Sequence, residues 1–247
     1  MDYLLTGIRR ELEARWAAAE VARGGRQGND QGGAQRRVLL LDRNGSDFCL
    51  GDGLEVRRVC ALDAAAAAQA PLAAAAGGFD GVVICLQAAW LEWPAWPAEV
   101  LGVLRPGGRL LFCTFGPDTL QQLRQAWRQA DDAPHVHPFL DMHLIGDQLL
   151  RCGFTDPIVD ADWVTVQYPQ EAALYADLRA EGFTNILAAR RKTLTGKARF
   201  RRYQEALNEL RGPGRPLAVT FELIYGVAGA PPSRAGRIQV APPRIPA

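Results

Sequence analysis

Residues 79–115, FDGVVICLQAAWLEWPAWPAEVLGVLRPGGRLLFCTF, leave the chain few choices of fold. Phe79 and Asp80 open an apolar run, Val82 to Leu86, that is short and continuous, as a strand buried on both faces must be. A Pro-rich turn follows, with Pro97 where a first helical turn accepts proline. Ala98 to Leu104 carries apolar residues at helical spacing, and Arg105-Pro106-Gly107-Gly108 stops that helix. Arg109 to Phe115 is a second β-type run. Strand, helix, Gly-rich turn and strand within about 35 residues form a βαβ crossover, which requires a parallel sheet. The fold class is therefore α/β.

The same stretch carries a resemblance. An FD strand opening, a helix ending in Leu104-Arg105-Pro106-Gly107-Gly108 and a following strand resemble the fourth and fifth strands of class I S-adenosylmethionine-dependent methyltransferases. TFGPDTLQQLRQAW (114–127), HVHPFLDMHLIGDQLLRCGFTDPIVD (135–160), DLRAEGFTN (177–185), LTGKAR (194–199) and VTFELIYG (219–226) follow in order. With them, residues 79–228 are similar to the BioC family, the malonyl-acyl-carrier-protein O-methyltransferases of biotin synthesis. The resemblance implies a Rossmann-like sheet, mostly parallel, ending in an antiparallel hairpin. It also implies one domain over residues 1–228 with a shortened first third, and a helical lid at about 169–212 inserted before the last strand. Residues 229–247 are then a Pro-rich tail.

Composition frames the function. The chain has 247 residues, enough for one large domain with a real core. A formal net charge of +1 gives no global bias toward nucleic acid, and no apolar run reaches the ~18 residues of a membrane span. The N-terminus lacks a basic region followed by an apolar core, so no secretory signal is expected. Cys49, Cys60, Cys85, Cys113 and Cys152 show no CxxC pairing, which fits a reducing, cytoplasmic setting.

Taken in order, Leu4, Leu5, Ile8, Leu12, Trp16 and Ala19 mark one face of a helix across residues 3–21. That helix either covers a sheet face or, as the resemblance implies, helps close a cofactor site. A Gly- and Gln-rich linker (23–35) leads to Arg37–Leu41, a buried first strand. A nucleotide-type site needs glycines after this strand, so that backbone can approach the ligand. Against the methyltransferase pattern RVLDLGCGTG, the acid position is Leu40, and the glycine positions hold Asp42, Asn44 and Ser46. Only Gly45 lies nearby, out of register.

LEVRRVCALD (54–63) then reads as the second strand, its terminal acid Asp63 matching the family's ribose-binding position. In a competing alignment RVLLLD is the second strand and Asp42 the ribose acid. Either way the Ala-rich segment before Phe79 is short, as if a strand and its helix were trimmed. Asp42, Gly45, Asp63 and Leu86, the last at the end of the fourth strand, are the cofactor-binding candidates for S-adenosylmethionine.

Trp90, Trp93 and Trp96 follow that strand, as hydrophobic cover or as a methionine-packing floor; Trp90 is the substrate candidate. Helices are expected at 119–129 and at 141–152, the second with Leu144, Ile145, Leu149 and Leu150 inward and Gly153 as C-cap. Val164–Tyr168 and Val219–Val227 read as strands, with lid helices at about 170–181 and 196–211 between them. His135, His137, Asp141 and His143 have metal-ligand chemistry, but the resemblance implies no metal. It places His143, in the DMH motif, near the substrate, making His143 the catalytic candidate.

Residues 190–202 (RRKTLTGKARFRR) hold seven basic residues and no acid. The run is either a solvated face or a surface that steers an acidic acyl-carrier protein, with Arg190, Arg191 and Lys197 as its contacts. Methyl transfer to a carboxylate, already ionised at neutral pH, needs no general base. The missing acid–base set therefore excludes nothing. Two functions stand: a working O-methyltransferase, or a silent relative that binds a carrier protein or other partner.

Overall fold

The computed structural model describes residues 2–24, 35–42, 48–59, 78–86, 89 and 95–233. In chain order its elements are α1 (Asp2–Gly24), β1 (Arg36–Leu41), β2 (Leu54–Val59), β3 (Phe79–Cys85), α2 (Ala95–Val103), β4 (Leu104–Phe115) and α3 (Gln121–Arg128). They continue with α4 (Met142–Cys152), β5 (Thr155–Tyr168), α5 (Glu171–Ala180), α6 (Lys197–Arg211) and β6 (Leu217–Gly229). Six strands form one sheet in the order β2-β1-β3-β4-β6-β5.

β1, β3 and β4 run parallel, with Val38 opposite Gly81 and Gly81 opposite Arg109, and β2 lies parallel on the outer side of β1. β6 is antiparallel to β4. The Ala230 N–H donates to the Gly108 carbonyl at 2.7 Å, while Gly116 N–H donates to Glu222 at 2.9 Å at the other end. β5 reverses again, its Thr155 hydroxyl donating to the Gly229 carbonyl. The expected α/β sheet with an antiparallel terminal hairpin is present. The trimming expected before Phe79 falls on residues 60–77, outside the described residues, as do most of the linker (25–34) and the end of the tail (234–247).

β3 is buried at every position, which explains its unbroken apolar sequence. Its FD opening is a structural device. The Asp80 carboxylate, 9% exposed, accepts the Arg37 N–H at 2.9 Å and the Arg105 guanidinium at 2.9 Å. This ties the amino ends of β1, β3 and β4 together. Arg105–Gly108, expected as a turn, is the opening of β4 instead. Gly107, at φ 73°, turns its N–H to the carbonyls of Ala230 and Pro231, so this backbone is paired. The pairing shifts register between Phe79, opposite Leu104, and Gly81, opposite Arg109, and this takes up the extra length of β4.

Other expectations shift in detail. Trp96 is not in a loop but buried in α2, edge-on to Phe112 with ring centres 5.6 Å apart. In α4, Ile145 and Leu149 are buried, whereas Leu144 and Leu150 are about half exposed. A helix turns about 100° per residue, so Ile145 and Leu149 share a face that their immediate neighbours leave. β5 starts nine residues earlier than its apolar pattern indicated, because Thr155–Asp162 alternates half-buried and exposed positions.

The chain divides into two compact units. One comprises Phe115–Asp141 and Ala161–Leu223; the other comprises Asp2–Thr114, Met142–Asp160 and the chain from Ile224. In the latter, Leu4, Ile8, Leu12 and Trp16 of α1 are buried, as the helical spacing requires. The Trp16 ring lies directly over Gly81 of β3, where a Cβ would overlap it. Glycine here is a condition for docking α1.

Gly81→Ala should therefore lower unfolding stability in urea by about 1–3 kcal/mol through overpacking. Gly102→Ala, on an open face of α2, should leave it unchanged or raise it by about 0.5–1 kcal/mol. Equal effects at the two positions would show that the Trp16 contact does not constrain the helix.

Candidate functional site

At the carboxyl end of β1, Asp42 is a buried carboxylate, 8% exposed, whose N–H donates to the Val59 carbonyl at 3.3 Å. At the corresponding end of β3, Leu86 adopts a left-handed backbone, φ 57°, and its N–H donates to Cys113. Leucine resists this conformation, and such strain concentrates at ligand-binding positions. Open α/β sheets bind ligands outside the carboxyl ends of their strands. Asp42 fits a ribose in one respect: its two acceptor oxygens match vicinal hydroxyl donors. Gly45, Asp63 and Trp90, with Asn44, Ser46 and Trp93, lie outside the described residues.

The other unit holds an open cavity of about 880 Å³, within the size range of small-molecule pockets. Its walls come from α3, from residues 131–139 and from residues 187–189. One side chain organises them. The Asp131 carboxylate, 8% exposed, meets His135 Nε2 at 2.8 Å, Arg191 Nε at 3.3 Å and Arg199 Nε at 3.2 Å. It also accepts the Ala133 N–H at 3.1 Å. Burial pushes this carboxyl up, but the His135 hydrogen bond and charge, the Ala133 N–H and Arg191 outweigh it and hold it below its usual range.

His135 is thereby held flat against Trp127, stacked at 3.8 Å, and Tyr203 of α6 stacks on Trp127 at 4.1 Å. The Tyr203 hydroxyl meets that of Tyr175, which donates to Glu171 at 2.8 Å. Burial pushes both tyrosines well above their ordinary value, so they remain neutral donors. Arg124, one turn before Arg128 on α3, donates to the carbonyls of Pro117 (2.6 Å), Thr119 (3.4 Å) and His137 (3.3 Å). Asn185 donates to the Pro134 carbonyl at 2.8 Å. The 131–139 segment is thus pinned despite having no regular structure.

Below it, Phe115 meets Phe139, Phe183 and Phe221 with ring centres 5.1–6.1 Å apart. Glu222 is buried beneath Gly116, and its Oε2 accepts the Asp118 N–H at 2.7 Å. Burial pushes the Glu222 carboxyl up; the Asp118 N–H opposes this, while the charges of Asp118 and Asp141 add to it. Any Cβ at Gly116 would strike that carboxylate. This explains why the GPDT turn (116–119) requires its glycine.

The structure separates the basic run by role. Arg191 and Arg199 are committed to Asp131, Arg202 donates to the Ala130 carbonyl at 2.9 Å, and Arg201 pairs with Glu205. Arg190 is exposed and donates to the Leu187 carbonyl, and Lys197 is exposed at the first residue of α6. Lys192, exposed and with no recorded partner among the described residues, joins them as an available cation. His143 is exposed in the first turn of α4, in the other unit. Among the described residues no three His, Cys, Asp or Glu side chains are placed to hold a metal ion. Asp131, Arg124, Arg128, Trp127 and Glu222 were not among the candidate site residues, although Arg124, Trp127 and Glu222 lie within the quoted motifs. A capable signal was the acid at 131 preceding a segment otherwise rich in proline and histidine.

No family model matches the chain. A malonyl-[acyl-carrier protein] O-methyltransferase from Laribacter hongkongensis is 42% identical over 181 residues, covering 73% of this chain and 60% of that protein. One of the same description from Xylella fastidiosa is 46% identical over 151 residues, 61% of this chain and 50% of that protein. The chain thus spans half to three-fifths of the length of these curated relatives. A solved structure, a candidate methyltransferase from Bacillus halodurans, superposes with a TM-score of 0.50 at 16% identity. It covers 80% of this chain and 93% of its own, a likeness of fold alone.

Asp131→Asn should lower stability by about 1–3 kcal/mol, because it leaves Arg191 and Arg199 without their shared anionic partner and disturbs the His135 contact. A folded-state pKa depressed below the unfolded carboxylate value near ~3.9 gives stability that is present above that value. It is lost as pH falls through the folded pKa. Denaturant midpoints of the two proteins should therefore differ at pH 7 and converge below about pH 3; a pH-independent difference would show that the carboxylate charge is not the cause.

Proposed function

We propose, from the premise that this chain belongs to the malonyl-acyl-carrier-protein O-methyltransferase (BioC) family, that it methylates the free carboxylate of a malonyl group carried by an acyl-carrier protein, using S-adenosylmethionine. The observation that carries the reading is identity of 42% over 181 residues with a protein of that description. Fold alone does not require it, as the 16% identity of the structural neighbour illustrates. A cytoplasmic setting belongs to the same proposal; among the described residues no helix is long and apolar enough to cross a membrane.

S-adenosylmethionine supplies a methyl group activated on a sulfonium. In this reading Asp42 accepts the ribose hydroxyls, and Leu86 sets the path of the backbone beside the cofactor. No residue need remove a proton, because the nucleophilic oxygen is already charged. The burden falls on alignment and exclusion of water. The Phe115 cluster offers dry surface, and the exposed cations Arg190, Lys192 and Lys197 offer an acidic carrier protein its landing charges. Arg191 belongs to the framework beneath that surface. His143, exposed and with no proton to move, stands as a substrate neighbour implied by the DMH motif.

One observation favours a second reading, a silent relative that binds a carrier without the cofactor. The first glycine position after β1 is Asp42, whose buried carboxylate takes volume that backbone alone would leave open. Calorimetric titration with S-adenosylhomocysteine separates the two. The methyltransferase reading expects binding at micromolar concentrations, weakened about tenfold or more by Asp42→Asn through loss of a charge-assisted acceptor. Absence of heat and of thermal stabilisation at millimolar ligand would leave only the silent reading. An Asp42→Gly protein that gains binding would identify the carboxylate as an obstruction.

A further inference from the structure

Arg128 on α3 lines the open cavity, is exposed, and has no recorded hydrogen-bond or ion-pair partner among the described residues. Its position in the last turn of the helix suits the helix dipole, but the dipole does not account for its surroundings. Arg124 lies four residues earlier on the same face, its guanidinium spent on backbone carbonyls rather than on an acid. The two like charges repel: burial first, then the charge of Arg128, lowers the Arg124 pKa against a weaker opposing effect of Asp118. Asp131, a carboxylate on the same wall, is already matched by Arg191, Arg199 and His135. Of the two acids on the wall, Asp132 alone has no partner among the described residues, and it stands against the two arginines.

Apart from these arginines and the Asp131, Asp132 and His135 side chains, the wall is apolar or carbonyl-bearing, with Pro134, Pro138, Leu187 and Ala188. Such a surface accepts a slender chain, and the cation pair accepts an anion at one end of it. The open, partly apolar wall and the two arginines together suit a flexible ligand with a terminal anionic group held near solvent. A phosphate at the outer end of a flexible arm answers that description; a reacting carboxylate does not, since it must lie where the methyl group arrives and water is excluded.

We propose that Arg128, with Arg124 behind it, anchors the phosphate of a phosphopantetheine-type arm at the mouth of this cavity. The inference rests on the carrier-protein reading above and deepens it by moving the anion contact from the 190–202 run to α3. Arg128 bonds the phosphate directly. Arg124 adds charge while holding the 131–139 wall in place.

The test is calorimetry of the full chain with two probes that differ only in the phosphate, 4′-phosphopantetheine and pantetheine. The phosphorylated probe is expected to bind about tenfold or more tightly, with a preference that shrinks as salt is raised. Arg128→Gln should abolish the preference with little change in the thermal midpoint, because the side chain has no hydrogen-bond or ion-pair partner among the described residues to lose. Arg10→Gln, which removes an equally exposed charge from α1, should preserve it. Equal affinities for the two probes, no binding of either, or a preference surviving Arg128→Gln would overturn the assignment. The two proposals fail separately. A phosphate preference without S-adenosylhomocysteine binding sinks methyl transfer and leaves this site standing; the reverse pattern sinks this site alone.

Discussion

One carboxylate, largely covered by its own partners, holds the candidate cavity in shape. Asp131 follows α3 and receives His135 from its own loop, Arg191 from the stretch before α6, and Arg199 from α6. Desolvating a carboxylate is costly, and here several directed donors offset that cost together. Everything on the cavity wall depends on this satisfaction. His135 is oriented by it, Trp127 stacks on His135, and Tyr203 stacks on Trp127, so a polar hub and an aromatic column share one geometry. A proline- and histidine-rich segment without helix or strand therefore has a defined course.

In the other unit the constraint is steric. Trp16 occupies the space above Gly81, and Asp80, the next residue back, clamps Arg37 and Arg105. The FD opening and the RPGG segment thus cooperate at the amino end of the sheet, opposite the edge at which α/β proteins bind ligands. Their chemistry is architectural: they specify how the parallel strands are registered. The residues placed to meet a ligand, Asp42 and Leu86, sit at the other end of the same strands.

This contrast explains what could be read in advance. The central strands and α1 were legible because buried strands are continuous in apolar residues and α1 repeats them at helical spacing. The antiparallel hairpin came with the family resemblance, and the sheet order agrees with it. Side-chain roles were harder. Seven basic residues within 190–202 look alike in composition, yet Arg191 and Arg199 face an acid some sixty residues earlier while Lys197 faces solvent. The pair Leu144 and Leu150 failed to point inward because runs of two apolar residues cannot both occupy a narrow helical stripe. The left-handed Leu86 has no sequence signal at all, since leucine does not advertise positive φ.

Methyl transfer to a carboxylate asks little of acid–base chemistry and much of charge placement. A cavity whose only imidazole is locked to Asp131 and stacked on Trp127 is poorly built for moving protons. Its wall carries Arg124 and Arg128 against one uncommitted acid, Asp132, and burial keeps the nearby tyrosines neutral. Such a site can hold and orient an anionic substrate without activating it, which is what an already ionised nucleophile requires. The same arrangement would serve a silent carrier-binding protein equally well. Activity is therefore decided at the end of β1. If Asp42 receives ribose hydroxyls, its burial becomes productive; without those donors, the same carboxylate is a barrier.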